Sequence, residues 1–137
     1  MKNNYKINDF AFTFNLDTRW RDLDAFQHVN NAEYATYIES ARVDLFERWG
    51  IPGSNTGKSI IMASLKIDYL AQLKHPTSMI IGQRISRLGS TSFDIESVVF
   101  DESGVPVCHA VVVAVCFDFN KQIPIPVYSS VIKDYEK

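Results

Sequence analysis

A chain of 137 residues is the length of one domain and too short for two. Hydrophobic residues make up 46% and charged residues 22%, and 14 basic against 16 acidic side chains leave a net charge of −2, without the basic excess of a nucleic-acid-binding surface. No apolar run approaches the roughly 18 residues of a membrane helix, and Met1–Lys6 lacks the apolar stretch of a secretory signal; neither nucleic acid nor membrane is expected as a partner.

The first predicted element is a strand over Phe10–Asp17, continuing through Trp20, in which Phe10, Phe12, Phe14 and Leu16 alternate with small or polar residues. A helix follows at about 31–49. Tyr34, Tyr37, Ile38, Ala41, Leu45 and Trp49 fall on one stripe, Asn30 and Glu33 have capping-box spacing, and Gly50 with Pro52 forms a stop. Everything after the helix reads as strand: Ser59–Leu70, Met79–Leu88, a run around Phe93–Ser97, and Val107–Asp118. The turns Gly89-Ser90-Thr91 and Asp101-Glu102-Ser103-Gly104 separate the last three. Val111–Phe117 is apolar almost without interruption, which predicts a strand buried on both faces and in want of extra cover. The last ten residues, Tyr128–Lys137, form a short helix or fray.

Cys108 and Cys116 lie eight residues apart in one predicted strand, more than about 20 Å when extended, so they cannot bridge each other. Two free thiols fit a reducing cytoplasm. The order strand, long helix, four strands in meander predicts one α+β domain over residues 1–137, an antiparallel sheet of five or six strands wrapped around a central helix.

Chemistry concentrates between the first strand and the helix, in Arg19-Trp20-Arg21-Asp22-Leu23-Asp24-Ala25-Phe26-Gln27-His28-Val29-Asn30-Asn31. A helix start offers unpaired amides and partial positive charge, which can polarise an acyl carbonyl and stabilise its oxyanion. A carboxylate beside it could attack that carbonyl or deprotonate a water. Asp and Asn before a helix also serve simply as caps and turn formers.

The block Asp22-Leu23-Asp24-Ala25-Phe26-Gln27-His28-Val29-Asn30-Asn31-Ala32-Glu33-Tyr34, with Tyr37, Glu39, Ala41 and Arg42 after it, resembles the hot-dog-fold thioesterase family. That family includes hydroxybenzoyl-CoA thioesterases, bacterial acyl-CoA thioesterases and plant acyl-carrier-protein thioesterases. The resemblance covers roughly residues 10–127 and takes in Ile67-Asp68-Tyr69, Ser92-Phe93 and Pro124-Ile125-Pro126. It implies a hot-dog fold and hydrolysis of an acyl-CoA, with acyl-carrier-protein substrates or non-catalytic acyl-CoA binding as the alternatives. A hot-dog hydratase is a further alternative, but it would pair a catalytic His with a carboxylate on the helix, which His28 does not match.

Carried over by position, the resemblance puts the catalytic carboxylate on Asp24, as nucleophile or general base, with His28 as its companion. The plant Asp-x-Asn-x-His pattern has Asn where this chain has Phe26, and Gln27 stands where many bacterial members have Gly. Backbone amides near Asn30 and Asn31 would be the oxyanion donors, and Tyr34 would border the acyl pocket. Asp68 is a weaker candidate whose default is a surface pair with Lys66, and Asp22 reads as structural, oriented by Arg19 or Arg21. Lys58, Lys74, Arg84 and Arg87 are the cations available to coenzyme A phosphates, and the Arg87–Ser92 loop is a candidate wall of the pantetheine tunnel. The resemblance also implies a homodimer, or a homotetramer, with sheets joined edge to edge. No metal site and no resident cofactor is expected.

Overall fold

A computed structural model describes residues 4–51 and 56–135. The elements are β1 (Phe12–Asp17), α1 (Asn31–Arg48), β2 (Lys58–Tyr69), β3 (Ser78–Leu88), β4 (Ser92–Phe100), β5 (Pro106–Asp118), β6 (Ile123–Pro124) and α2 (Ser129–Tyr135). They form one antiparallel sheet in the order β1-β3-β4-β5-β2, with β6 paired to the end of β5, and α1 lies against one face. This is the α+β arrangement expected of a hot-dog fold. Only β3, β4 and β5 are a meander. β2 passes to the far side of β5, and both β1 and β2 are edges, a correction to the four-strand meander expected from element order.

The apolar stripe of α1 divides the core in two. Tyr34, Tyr37, Ile38 and Ala41 pack on Met79, Ile81, Val99, Val107, Cys108 and Ala110. Leu45 and Trp49 pack on Ile85, Phe93, Ile95, Ala114 and Cys116, closed from outside by Val127 and by Val131 of α2. The helix ends as anticipated, with Gly50 at φ 71°, a left-handed conformation that glycine adopts without cost; Pro52 lies outside the described residues.

Strand β1 stops at Asp17 and does not continue to Trp20. Thr18 closes the β1–β3 ladder, donating its amide to the Thr77 carbonyl at 3.0 Å and accepting the Thr77 amide on its hydroxyl at 3.1 Å. Beyond it, the Asp22 carboxylate takes the Arg19 amide and turns the chain into a single 3-10 turn, Trp20–Asp22. Strand β5 also differs from expectation. Its residues alternate between fully buried and half-buried, because α1 covers one face only. The opposite face of the sheet is covered at one end by residues 5–10, where Phe10 packs on Val98 and Phe100 and Tyr5 stacks on the His109 ring with centroids 4.9 Å apart.

Candidate active site

The Asp-rich segment folds as a narrow loop with two tied arms. On the incoming arm Asp22 is buried, and its carboxylate accepts hydrogen bonds from Arg19 Nε at 3.0 Å, the Arg19 amide at 3.0 Å and the Tyr37 hydroxyl at 2.5 Å. Burial pushes this carboxyl up, but the hydrogen bonds from Arg19 and Tyr37, with the Arg19 charge, outweigh it, so the net shift is downward and Asp22 is ionised. The Asp22 carbonyl accepts the Asn30 amide at 2.8 Å. On the outgoing arm Val29 donates to the Leu73 carbonyl at 3.0 Å, and the Leu73 amide donates to the Tyr34 hydroxyl at 3.1 Å. A bridge between Leu23 and Val29 holds the arms together.

At the tip, the Asp24 amide donates to the His28 carbonyl at 2.8 Å. Asp24 Oδ1 accepts the amides of Phe26 at 2.9 Å and His28 at 3.3 Å. Among the described residues nothing hydrogen-bonds to Oδ2. The tight turn puts Gln27 at φ 64°, the left-handed region that explains why glycine suits this position. A cavity of about 170 Å³ is lined by Trp20, Arg21, Leu23, Asp24 and Gln27. Trp20 and Phe26 flank the loop with 78% and 81% of their surface exposed, an unusual position for large apolar side chains.

Asn30 caps α1 as predicted, its Oδ1 accepting the Ala32 amide at 3.0 Å. The capping box does not form. The Asn30 amide goes to Asp22, and Glu33 instead meets Arg19 at 3.4 Å. Asn31 is the exposed first residue of the helix, and no described residue accepts its amide hydrogen outside the helix. His28 lies half-buried at the base of the turn and its backbone bridges Lys74. Tyr34 is buried with its hydroxyl engaged by Leu73, so it ties the loop to the helix.

Asp68 is not brought to this loop. It lies on the sheet face opposite α1, paired with Lys66 at 3.3 Å and 3.9 Å from His109 Nδ1. There His109 Nε2 meets Glu96 at 2.8 Å, and Arg84 meets the same carboxylate at 2.7 Å. Neither this network nor the Tyr37–Asp22 bond was foreseen from the sequence. Tyr37 sits 15 residues from Asp22, inside a helix stripe that reads as pure core.

Of the candidate phosphate-binding cations, Arg84 and Arg87 are occupied by Glu96 and Asp94, whereas Lys58 and Lys74 form no ion pair among the described residues. The Arg87–Ser92 loop is pinned by Arg87 donating to Ser92 Oγ and by the Ser90 carbonyl accepting Val127. Among the described residues, no three His, Cys, Asp or Glu gather in a way that could hold a metal. None of the described helices is long and apolar enough to cross a membrane.

Residues 18–133 match the thioesterase-like superfamily. The chloroplastic acyl-acyl carrier protein thioesterase ATL2 of Arabidopsis thaliana is 32% identical over 120 residues, 85% of this chain and 63% of that protein. The long-chain acyl-CoA thioesterase FadM of Escherichia coli is 27% identical over 110 residues, 78% of this chain and 83% of that one. Among solved structures, a thioesterase from Thermus thermophilus complexed with coenzyme A and Zn superposes with a TM-score of 0.80 at 26% identity, covering 93% of this chain and 99% of that one. The PA2801 protein of Pseudomonas aeruginosa gives 0.84 at 25% identity, covering 90% and 97%.

Proposed function

Because the chain belongs to the thioesterase-like superfamily, we propose that it hydrolyses an acyl-coenzyme A to the free acid and coenzyme A, with Asp24 as the reacting carboxylate. The observation that carries this is the Asp24 turn itself. One carboxylate oxygen is fixed by two amides while no described residue hydrogen-bonds to the other, and Asp24 lines a cavity at the surface in the loop that leads into the long helix. Fixing one oxygen orients the second, which is the requirement for a general base or nucleophile.

As general base, Asp24 takes a proton from water, the resulting hydroxide adds to the thioester carbon, and the tetrahedral oxyanion collapses to expel the thiolate of coenzyme A. As nucleophile, Asp24 adds to the same carbon, expels the thiolate and forms a mixed anhydride that water cleaves. The Asn31 amide at the start of α1 is the donor best suited to the oxyanion, and the helix macrodipole acts with it. His28, at the base of the turn, orients the water or the carbonyl. Lys74, bridged to His28 through backbone, forms no ion pair among the described residues, and we assign it to the coenzyme A phosphates.

Strand β2 is an edge of twelve residues with Leu65 and Tyr69 45% and 48% exposed. An edge this long and apolar favours pairing with a second copy, so the working form is taken as a homodimer joined along β2. The buried thiols Cys108 and Cys116 are consistent with a reducing compartment such as the cytoplasm.

A second reading is favoured by the likeness to ATL2, namely hydrolysis of an acyl-acyl carrier protein. Phe26 in place of the plant Asn weighs against it. Steady-state thiol release from matched acyl-CoA and acyl-carrier-protein substrates tests both readings. The acyl-CoA reading predicts a higher kcat/KM with the coenzyme A ester, and the reverse order would replace it.

A further inference from the structure

Two tyrosine hydroxyls of α1 help attach the Asp24 loop to the helix, beside the Arg19–Glu33 ion pair and the Asn30 cap. Tyr34 and Tyr37 are buried three residues apart on one face of the helix, their rings edge to face with centroids 6.0 Å apart. Tyr37 donates to the Asp22 carboxylate on the incoming arm. Tyr34 accepts the amide of Leu73, whose carbonyl receives Val29 of the outgoing arm. Of these two hydroxyls, one meets a charged group and the other a neutral one.

The charged attachment is the unusual one. The Asp22 side chain has no exposed surface, and a buried carboxylate is costly unless donors surround it. Here Tyr37 and the amide and side chain of Arg19 all converge on it. Packing alone does not call for a charge at this point, because a neutral turn-former would close the Trp20–Asp22 turn as well. A carboxylate accepts from several donors at once and donates to none, so it fixes its own backbone in one position. That backbone is next but one to Asp24, and its carbonyl also holds Asn30, the cap whose Oδ1 and carbonyl accept the amides of Ala32 and Glu33. One buried side chain thus fixes the reacting carboxylate and the start of the helix relative to each other.

We propose that Asp22, held by Tyr37 and Arg19, is a positioning residue for the reaction, setting the geometry of the Asp24 turn against the amides that begin α1. The proposal rests on Asp24 being the reacting carboxylate. A displacement of about 1 Å at a reacting group costs on the order of a hundredfold in rate, so loosening this attachment acts on kcat.

Tyr37→Phe keeps the ring and its packing and removes only the hydroxyl, so it tests the attachment even if Asp22→Asn does not fold. Thiol release is measured with an acyl-CoA below the unfolding range of both proteins, as established by circular dichroism. We expect kcat to fall by about tenfold or more with KM changed less than about twofold, the pattern of a lost transition-state arrangement. In an Asp24→Asn background, Tyr37→Phe is expected to cost no more than about a further twofold, because the group being positioned is gone. An unchanged kcat, a rise in KM alone, or the same fold-loss in both backgrounds overturns the proposal. Amide resonances of Phe26, His28 and Asn30 provide an arm independent of activity and should shift in Tyr37→Phe. If wild type released no thiol, the functional reading would fail while these resonances still tested the attachment, and unmoved resonances would overturn it.

Discussion

The Tyr37 hydroxyl lies 2.5 Å from a carboxylate oxygen of Asp22, inside the protein and 15 residues away along the chain. Each group alters the other. Burial, and then the hydrogen bond and charge of Asp22, hold the Tyr37 phenol far above its ordinary range, so Tyr37 remains a donor at every accessible pH. Asp22 is pulled below the usual carboxylate range despite its burial, because the donors from Arg19 and Tyr37 favour the charged form. A hydrogen bond to a buried charge contributes about 1.5–3 kcal/mol, and more is lost if the carboxylate stays and its donor is removed.

These shifts fix the sign of the acid response. Asp22 and Glu96 both have lowered pKa in the folded state, Glu96 because His109 and Arg84 overcome the effect of its burial. A lowered carboxyl contributes stability that is fully present above its unfolded pKa, near about 4, and is lost as pH falls through the folded value. The thermal midpoint should therefore hold from pH 7 to about 5 and decline below about 4. In Asp22→Asn the decline should be shallower, since one of these contributions is already missing. A midpoint that rises on acidification would contradict this assignment.

The two thiols should be inert in the native protein. Burial, with a smaller effect from the Asp68 charge, pushes Cys108 up to about 12, and burial raises Cys116 as well. Without thiolate neither reacts. Ellman's reagent at pH 8 is expected to titrate no thiol before denaturant is added and two afterwards. Rapid native labelling would contradict the burial.

Gln27 adopts a left-handed conformation at φ 64° in the turn that carries Asp24. That region costs an L residue about 1 kcal/mol or more, and glycine very little. Gln27→Gly should keep the turn and raise stability by up to about 1 kcal/mol, read as a modest increase in thermal midpoint. Gln27→Val, β-branched at positive φ, should lower it. If Gln27→Gly were the less stable variant, the turn would owe its shape to the glutamine side chain instead.

Leu65 and Tyr69 share the helix-facing side of β2 with Ile67, yet they remain about half exposed in the single chain. Light scattering after size exclusion should report a dimer for wild type. A charge placed on this edge, Leu65→Lys, should shift it toward monomer. A wild-type monomer would contradict pairing along β2.

Much of this fold is written in local patterns. The stripe from Tyr34 to Trp49 specifies α1, and the alternation from Phe12 to Leu16 specifies β1, because burial on one face imposes the period directly. The position of β2 is not legible in the same way. Its own residues look alike beside β3 or beside β5, and only the completed sheet distinguishes them. In the site, Asn30 could be assigned as a cap from its type and place, and Asp22 as a partner of Arg19 from their spacing. Glu33 had the right spacing for a capping box but lost the Asn30 amide to the Asp22 carbonyl, a contact that exists only once the loop has closed. Tyr37 was hidden for a related reason. Its ring satisfies the core pattern completely, and the period of a helix carries no information about a hydroxyl at the ring's far end.

The most direct measurement is release of free thiol from a panel of acyl-CoA esters by wild type and by Asp24→Asn. Wild type is expected to turn over at least one ester, and Asp24→Asn to lose about a hundredfold or more in kcat, the scale of a positioned general base or nucleophile. The substitution keeps an oxygen able to accept the Phe26 and His28 amides, so the turn itself should survive. Near-normal turnover in Asp24→Asn, or no turnover by wild type with any acyl-CoA or acyl-carrier-protein ester, would contradict the assignment of Asp24 as the residue that cleaves a thioester.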